Sequence, residues 1–199
     1  MSGSPRTGVT QSWRTVDIVV TAAIAVAFGV VFWAWGLVWT ATEPVFIALP
    51  PAQNVLYGVW FMAAIVAALV VRKPGAALFA ELVAASIEAL LGGQWGLDTL
   101  VSGAIQGFAV EIAFAAFRYQ RWDVTTTLLA AVLAAIGAWI HDMPVFYKDL
   151  ALGDMVVIGI FMIIGAVIIA GYGSWWLTRA LVQSGVLAQF PSGRAQTRV

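Results

Sequence analysis

Three carboxylates sit inside long apolar stretches of this chain, Glu81 and Glu88 in one and Glu111 in the next. At the middle of a membrane helix an acid costs on the order of 2.5–3.5 kcal/mol on insertion scales, so each one calls for a reason. Seven residues separate Glu81 from Glu88, which places both on one helix face, roughly 10 Å apart along the axis. Acids so placed can accept hydrogen bonds from amines, balance a bound cation, or serve as hydrogen-bonded packing groups. Glu111, with Arg118 two turns on, fits the packing role best.

Amides and aromatic rings gather in sequence around Glu88. Gln94 and Trp95 follow it in a Gly-Gly-Gln-Trp-Gly turn, whose glycines allow the chain to double back. Gln106 lies about two turns into the next apolar stretch, Asn54 and Tyr57 open an earlier one, and Trp60 continues from them. Trp35 and Trp39 share a face near the end of the first stretch, and Trp139 and His141 close the fifth. These groups are expected to converge on one pocket: Glu88, Gln94, Gln106 and Asn54 for hydrogen bonds, Trp35, Trp39, Tyr57 and Trp95 for stacking, His141 at its edge. Tryptophans also mark membrane boundaries without binding anything, and a lone histidine there is often a loop residue. Glu, Gln and Asn do not belong to such a belt.

The elements that must position these residues are six apolar stretches, at 16–39, 54–71, 75–91, 99–117, 124–140 and 155–177. Hydrophobic residues make up 62% of the chain and charged ones 10%, against roughly 45–50% and about 25% in soluble domains. Several stretches reach the ~20 residues that cross a ~30 Å hydrocarbon core. The expectation is an all-α integral membrane bundle of six transmembrane helices. Its parts are a cytoplasmic segment at 1–14, the bundle at 15–183 and a flexible cytoplasmic tail at 184–199.

Charge sets the orientation. Of the ten Lys and Arg, all but Lys148 fall on one side of a six-span threading, at Arg6, Arg14, Arg72, Lys73, Arg118, Arg121, Arg179 and the tail. Basic loops stay in the cytoplasm, so both termini are predicted inside, and the loops holding Gln94 and His141 outside. The outer loops carry four of the seven prolines, the Gly-Gly-Gln-Trp-Gly turn, half of the acids and the histidine.

Several chemistries find no support. The chain has no cysteine, hence no disulfide, thiolate metal site or thiol nucleophile. One histidine and no metal-ligating spacing give no reason to expect a metal or a cofactor. No pair of aspartates within the spans offers an acid–base dyad for an intramembrane enzyme. A phosphate-binding glycine loop is also missing, so the chain carries no ATPase of its own. A scaffold without ligand is a further reading. The principal alternative to a binding subunit is a stand-alone proton-coupled transporter or channel that uses Glu81, Glu88 and Glu111 as a relay.

The alanine-rich first helix over 22–35, the 88–96 segment with its Gly-Gly-Gln-Trp-Gly turn, and 103–111 with Gln106 and Glu111 together resemble the substrate-binding S components of energy-coupling-factor (ECF) vitamin transporters. Within that group the chain looks most like the YkoE type, associated with thiamine or its hydroxymethylpyrimidine precursor. The resemblance extends over all six spans. It implies a binder in the bacterial inner membrane that captures a vitamin from outside and works with a membrane coupling subunit and two ATPases on other chains. It further implies that a small-residue face of the first helix meets the coupling subunit, for which Ala23 and Ala27 are the matching positions. An aminopyrimidine could pair with Glu88, Gln94 or Gln106, and a thiazolium would suit a carboxylate and indole faces.

Overall fold

A computed structural model describes residues 12–188 and 190–194. Its elements run in order as α1 (Thr15–Thr42), a short 3₁₀ turn (Glu43–Phe46), a long 3₁₀ segment (Pro50–Phe61), α2 (Met62–Val71), α3 (Ala76–Leu90), α4 (Asp98–Ala116) and α5 (Val124–Phe146). There follow α6 (Leu152–Gly165), a π-helical segment (Ala166–Gly173), α7 (Ser174–Gln183) and a one-turn α8 (Pro191–Arg194). No strand occurs among the described residues.

Five of the resulting rods are long and apolar enough to cross a membrane: Thr15–Phe46, Pro50–Val71, Asp98–Ala116, Val124–Phe146 and Leu152–Gln183. The remaining expected span is α3, whose 15 residues cover only about 22 Å. Arg72 in the left-handed conformation and Gly75 at φ 88° set its start, and Gly92 at φ 83° closes its end. α3 packs on α1, α2 and α4. Close approach is possible because Ala76, Ala77, Ala80 and Ala84 are fully buried. Glycines on the neighbours help: a Cβ on Gly29 would come within 2.8 Å of the Ala84 carbonyl, and one on Gly107 within 2.9 Å of the Leu78 backbone. The helix that carries Glu81 and Glu88 is thus held inside the bundle by contacts too tight for larger side chains.

Two helices depart from α geometry where they meet. The sequence predicts plain helices over 54–71 and 155–177, whereas the structure winds Pro50–Phe61 as 3₁₀ and Ala166–Gly173 as π. Twelve residues is long for a 3₁₀ helix, which usually runs to three or four. Gly58 and Gly165 face each other here with no room for a Cβ on either, so the backbones touch directly. Three residues per turn has a direct consequence: Asn54, Tyr57 and Trp60 stack in one row instead of spiralling away.

At the end of the bundle with the basic loops, the chain is tied together. Asp17 accepts from Arg14 at 2.9 Å and from Lys73, and Trp13 donates its indole N–H to the Pro74 carbonyl at 3.0 Å. Glu111 accepts the backbone N–H of Ala77 at 2.8 Å and the Tyr119 hydroxyl at 2.7 Å, which caps the first turn of α3. Most of the expected segment 1–14 lies outside the described residues. The described part of the expected tail is docked rather than free: Leu187 and Phe190 are buried against Val66, Val70 and Val71. The Ser192 hydroxyl adds a hydrogen bond to the Val70 carbonyl at 3.3 Å.

Candidate substrate cavity

At the opposite end, α1, the 3₁₀ segment, α3, α4 and α5 enclose a cavity. Its empty volume, with the open solvent at the mouth included, is about 700 Å³. Its walls are Phe32 and Trp39 of α1, Tyr57 and Trp60 of the 3₁₀ row, Glu81, Ala85 and Glu88 of α3, and Trp95 of the following turn. Asp98, Thr99, Ser102, Gly103 and Gln106 of α4, and Asp142, Phe146 and Tyr147 at the end of α5, complete it.

The aromatic wall is one connected set. Trp60 lies 5.0 Å from Trp95 and 5.7 Å from Trp39, both edge-on, and Trp39 lies 6.1 Å from Trp95. Tyr57 sits 5.5 Å from Trp60. Edge-to-face packing of this kind fixes ring orientation, leaving a rigid indole surface rather than a set of mobile side chains.

The polar groups divide into committed and uncommitted ones. Glu81 spends one oxygen on the backbone N–H of Ala64 at 2.8 Å, near the point where the 3₁₀ segment becomes α2. Gln106 donates to the Ser102 hydroxyl at 2.6 Å. Glu88 accepts the Trp60 indole N–H at 3.2 Å through Oε1, while its Oε2 is buried and has no hydrogen-bond partner. The Thr99 hydroxyl is in the same state. A buried oxygen without a partner costs about 1–3 kcal/mol or more, and more for a charged group. Such an atom on a cavity-lining residue is an acceptor whose donor no described residue supplies.

Around the mouth, the Tyr57 hydroxyl lies against Asp142 and Ser102. The Tyr147 hydroxyl reaches Asn54 Oδ1 at 3.5 Å. Burial and the neighbouring Asp142 push the Tyr147 hydroxyl up to about 12, so it remains a neutral donor.

Of the residues expected at the site, Glu88, Trp95, Gln106, Tyr57 and Trp39 line the cavity. Four others do not. Gln94 is exposed: it accepts from the Thr40 hydroxyl at 2.8 Å and so ties its turn to α1, because only one of two adjacent turn residues can point inward. Trp35 donates to the Leu56 carbonyl at 2.9 Å, which sets it in the packing between α1 and the 3₁₀ segment. Asn54 is buried behind the wall, donating to the Pro51 carbonyl at 3.1 Å. His141 also stands behind the wall, because α5 continues through residues expected to form a loop and turns Asp142 inward instead. Ala23 and Ala27 are exposed on α1, opposite its buried face of Ala25, Gly29 and Phe32.

The lining also holds residues that the sequence reading passes over, chiefly Asp98, Ser102, Asp142 and Tyr147. A signal for three of them exists. Asp98, Ser102 and Gln106 recur every four residues, and Asp142 continues the buried row Ala130, Ala134, Ala138. Rows with that spacing mark one helix face.

Comparison with known proteins places these features in context. Residues 16–137 match the family model described as an ABC-type cobalt transport system, permease component. No group of three or more potential metal ligands occurs among the described residues. The chain is 30% identical over 187 residues to the Bacillus subtilis (strain 168) protein "Putative HMP/thiamine permease protein YkoE", covering 92% of each. A crystal structure of an S-component of an ECF transporter superposes with a TM-score of 0.88 at 29% identity, covering 94% of both chains.

Proposed function

Since the chain belongs to the S components of ECF transporters, of the YkoE type, we propose that it captures thiamine or its hydroxymethylpyrimidine precursor and delivers it to a coupling subunit and two ATPases. The family is one of transporter components, not of enzymes, and its members are multi-pass membrane proteins. The observation that carries the cargo is Glu88 Oε2, a buried acceptor without a partner in a tryptophan-walled cavity. An exocyclic amine of a pyrimidine supplies the missing donor, and the planar ring has indole surface of the wall to stack on. Four carboxyl groups line the cavity, and neither Lys nor Arg does. That sign of charge favours amine donors and cations over anionic vitamins.

Calorimetric titration of the purified chain with thiamine and with hydroxymethylpyrimidine tests this. Saturable one-to-one binding of either is the expected result. Absence of binding to both, with a panel compound of other chemistry bound instead, would reassign the cargo.

The same reading places the cavity mouth on the outer face of the bacterial inner membrane, with both termini in the cytoplasm and α3 as a sixth, short crossing. Arg72, Lys73, Arg118, Arg121 and Arg179 at the far end support that orientation. Single cysteines at Ser2 and Asp98, labelled with a membrane-impermeant maleimide on intact cells, check it. Position 98 should react from outside and position 2 only after lysis; the reverse pattern inverts the molecule.

A further inference from the structure

His141 is the one histidine of the chain, and it stands just behind the cavity wall. Its side chain is 10% exposed, and its two ring nitrogens address two different carboxylates. Nδ1 lies 2.9 Å from Asp142 Oδ1, and Nε2 lies 3.5 Å from Asp98 Oδ1. Both acids line the cavity, and they come from different helices: Asp98 opens α4 and Asp142 lies in the last turns of α5. The histidine therefore adjoins two acids of the cavity without lining the cavity itself.

A neutral imidazole has one N–H, and an imidazolium has two. Two ionised carboxylates at the two nitrogens are both matched only by the protonated ring, Asp142 through a hydrogen bond and Asp98 through an ion pair at 3.5 Å. We infer that His141 is a positioning residue and counter-ion that competes with a cationic ligand for Asp98 and Asp142. When protonated, the ring holds both acids. When neutral, it donates to one and leaves the other to a positive charge in the cavity. Binding of the cation then releases the imidazolium proton to water.

The other titratable groups around this pair are accounted for. Tyr57 of the 3₁₀ segment lies against Asp142, and Tyr147 adjoins the same acid. Lys148 and Asp149, on the loop that follows, and Asp154, at the start of α6, are exposed to solvent. His141 is thus the titratable group directly behind the two acids of the cavity wall.

Linkage makes the competition reciprocal: the factor by which a proton on His141 weakens the cation is the factor by which the cation weakens the proton. A factor of about ten is expected, the size of a unit charge acting across a few ångströms of partly solvated protein. This inference rests on the cavity's taking a ligand as proposed above. It adds a chemical distinction, because a ligand with a fixed positive charge feels the histidine and an uncharged one does not.

The full chain in detergent is suited to the test, since a single histidine gives ring-proton NMR signals that report His141 alone. Followed between pH 5 and 8.5, the range in which histidine changes charge, the signals should titrate at lower pH in Asp98→Asn than in wild type. Saturating thiamine should shift the wild-type titration down by about one unit, and hydroxymethylpyrimidine, which lacks the thiazolium, should not shift it. In parallel, the Kd for thiamine should rise about tenfold from pH 8 to pH 5.5, and His141→Gln should flatten that profile. Titration of thiamine itself is common to both proteins and cancels in the difference. A titration unmoved by both Asp98→Asn and thiamine, or a pH profile unchanged in His141→Gln, overturns the inference. If wild type binds neither compound, the cargo proposed above falls, and the Asp98→Asn comparison still decides the role of His141.

Discussion

Glu88→Gln is expected to weaken thiamine binding by roughly 30-fold to several thousandfold, the equivalent of about 2–5 kcal/mol for removing a charged partner from a desolvated site. The substitution is close to isosteric. Gln retains an oxygen for the Trp60 indole N–H, so the wall stays in place. What changes is the second terminal atom. The unpartnered Oε2 becomes an NH₂ group that points a donor at the ligand's own donor. Calorimetry on the variant reads the loss directly. Glu111→Gln is the matched control. Its carboxylate is spent at the other end of the bundle, on the first turn of α3 and on Tyr119, so it should lower the melting temperature more than the affinity. Equal loss of affinity from both variants would mean that Glu88 supports the fold and not the ligand. Loss from neither would move the site away from α3.

Replacing Ala23 or Ala27 by Trp is expected to abolish ATP-driven uptake while leaving the affinity of the isolated chain within about twofold. Both alanines are exposed on a face of α1 turned away from the cavity, and small residues four apart allow another helix to come close. An indole at either position blocks that approach without touching Phe32 or Trp39, through which α1 contributes to the cavity. Two measurements check the split: co-purification with the coupling subunit and ATPases, which should be lost, and thiamine titration of the free chain, which should be retained. Variants that assemble and transport normally would place the coupling surface elsewhere.

The bundle was legible from composition and charge, because long apolar stretches and basic loops are signals that a single sequence carries on its surface. So was the brevity of α3, read as 75–91 and observed as Ala76–Leu90 between Gly75 and Gly92. At the site, Glu88 and Trp95 could be read because an acid in an apolar helix and a glycine turn beside it each stand out. Gln94 could not be separated from Trp95 by type alone. Which of two adjacent turn residues points inward depends on Thr40 and Gly36 of another helix. His141 was seen as a chemically notable residue and assigned to the wrong side of the wall. The helix was expected to stop at 140, whereas it runs to Phe146 and rotates Asp142 into the cavity. The 3₁₀ winding is the least legible feature. Asn54, Tyr57 and Trp60 were each noticed, yet their period of three has meaning only for a helix of three residues per turn.

That winding bears on how such a cavity can acquire a new preference. Twelve residues at about 2.0 Å each span some 24 Å, and the same residues rewound as α would span about 18 Å. Each step of three would also fall about 60° short of a full turn, so Asn54 and Trp60 would leave the line on which Tyr57 lies. The reach of this wall and the direction of its rings are therefore properties of a hydrogen-bond register. An inserted residue, or a proline moved by one position, re-aims the whole row at once while every ring keeps its identity. Divergence among proteins built this way can proceed through changes of pitch, which a residue-by-residue comparison of binding positions would record as no change at all.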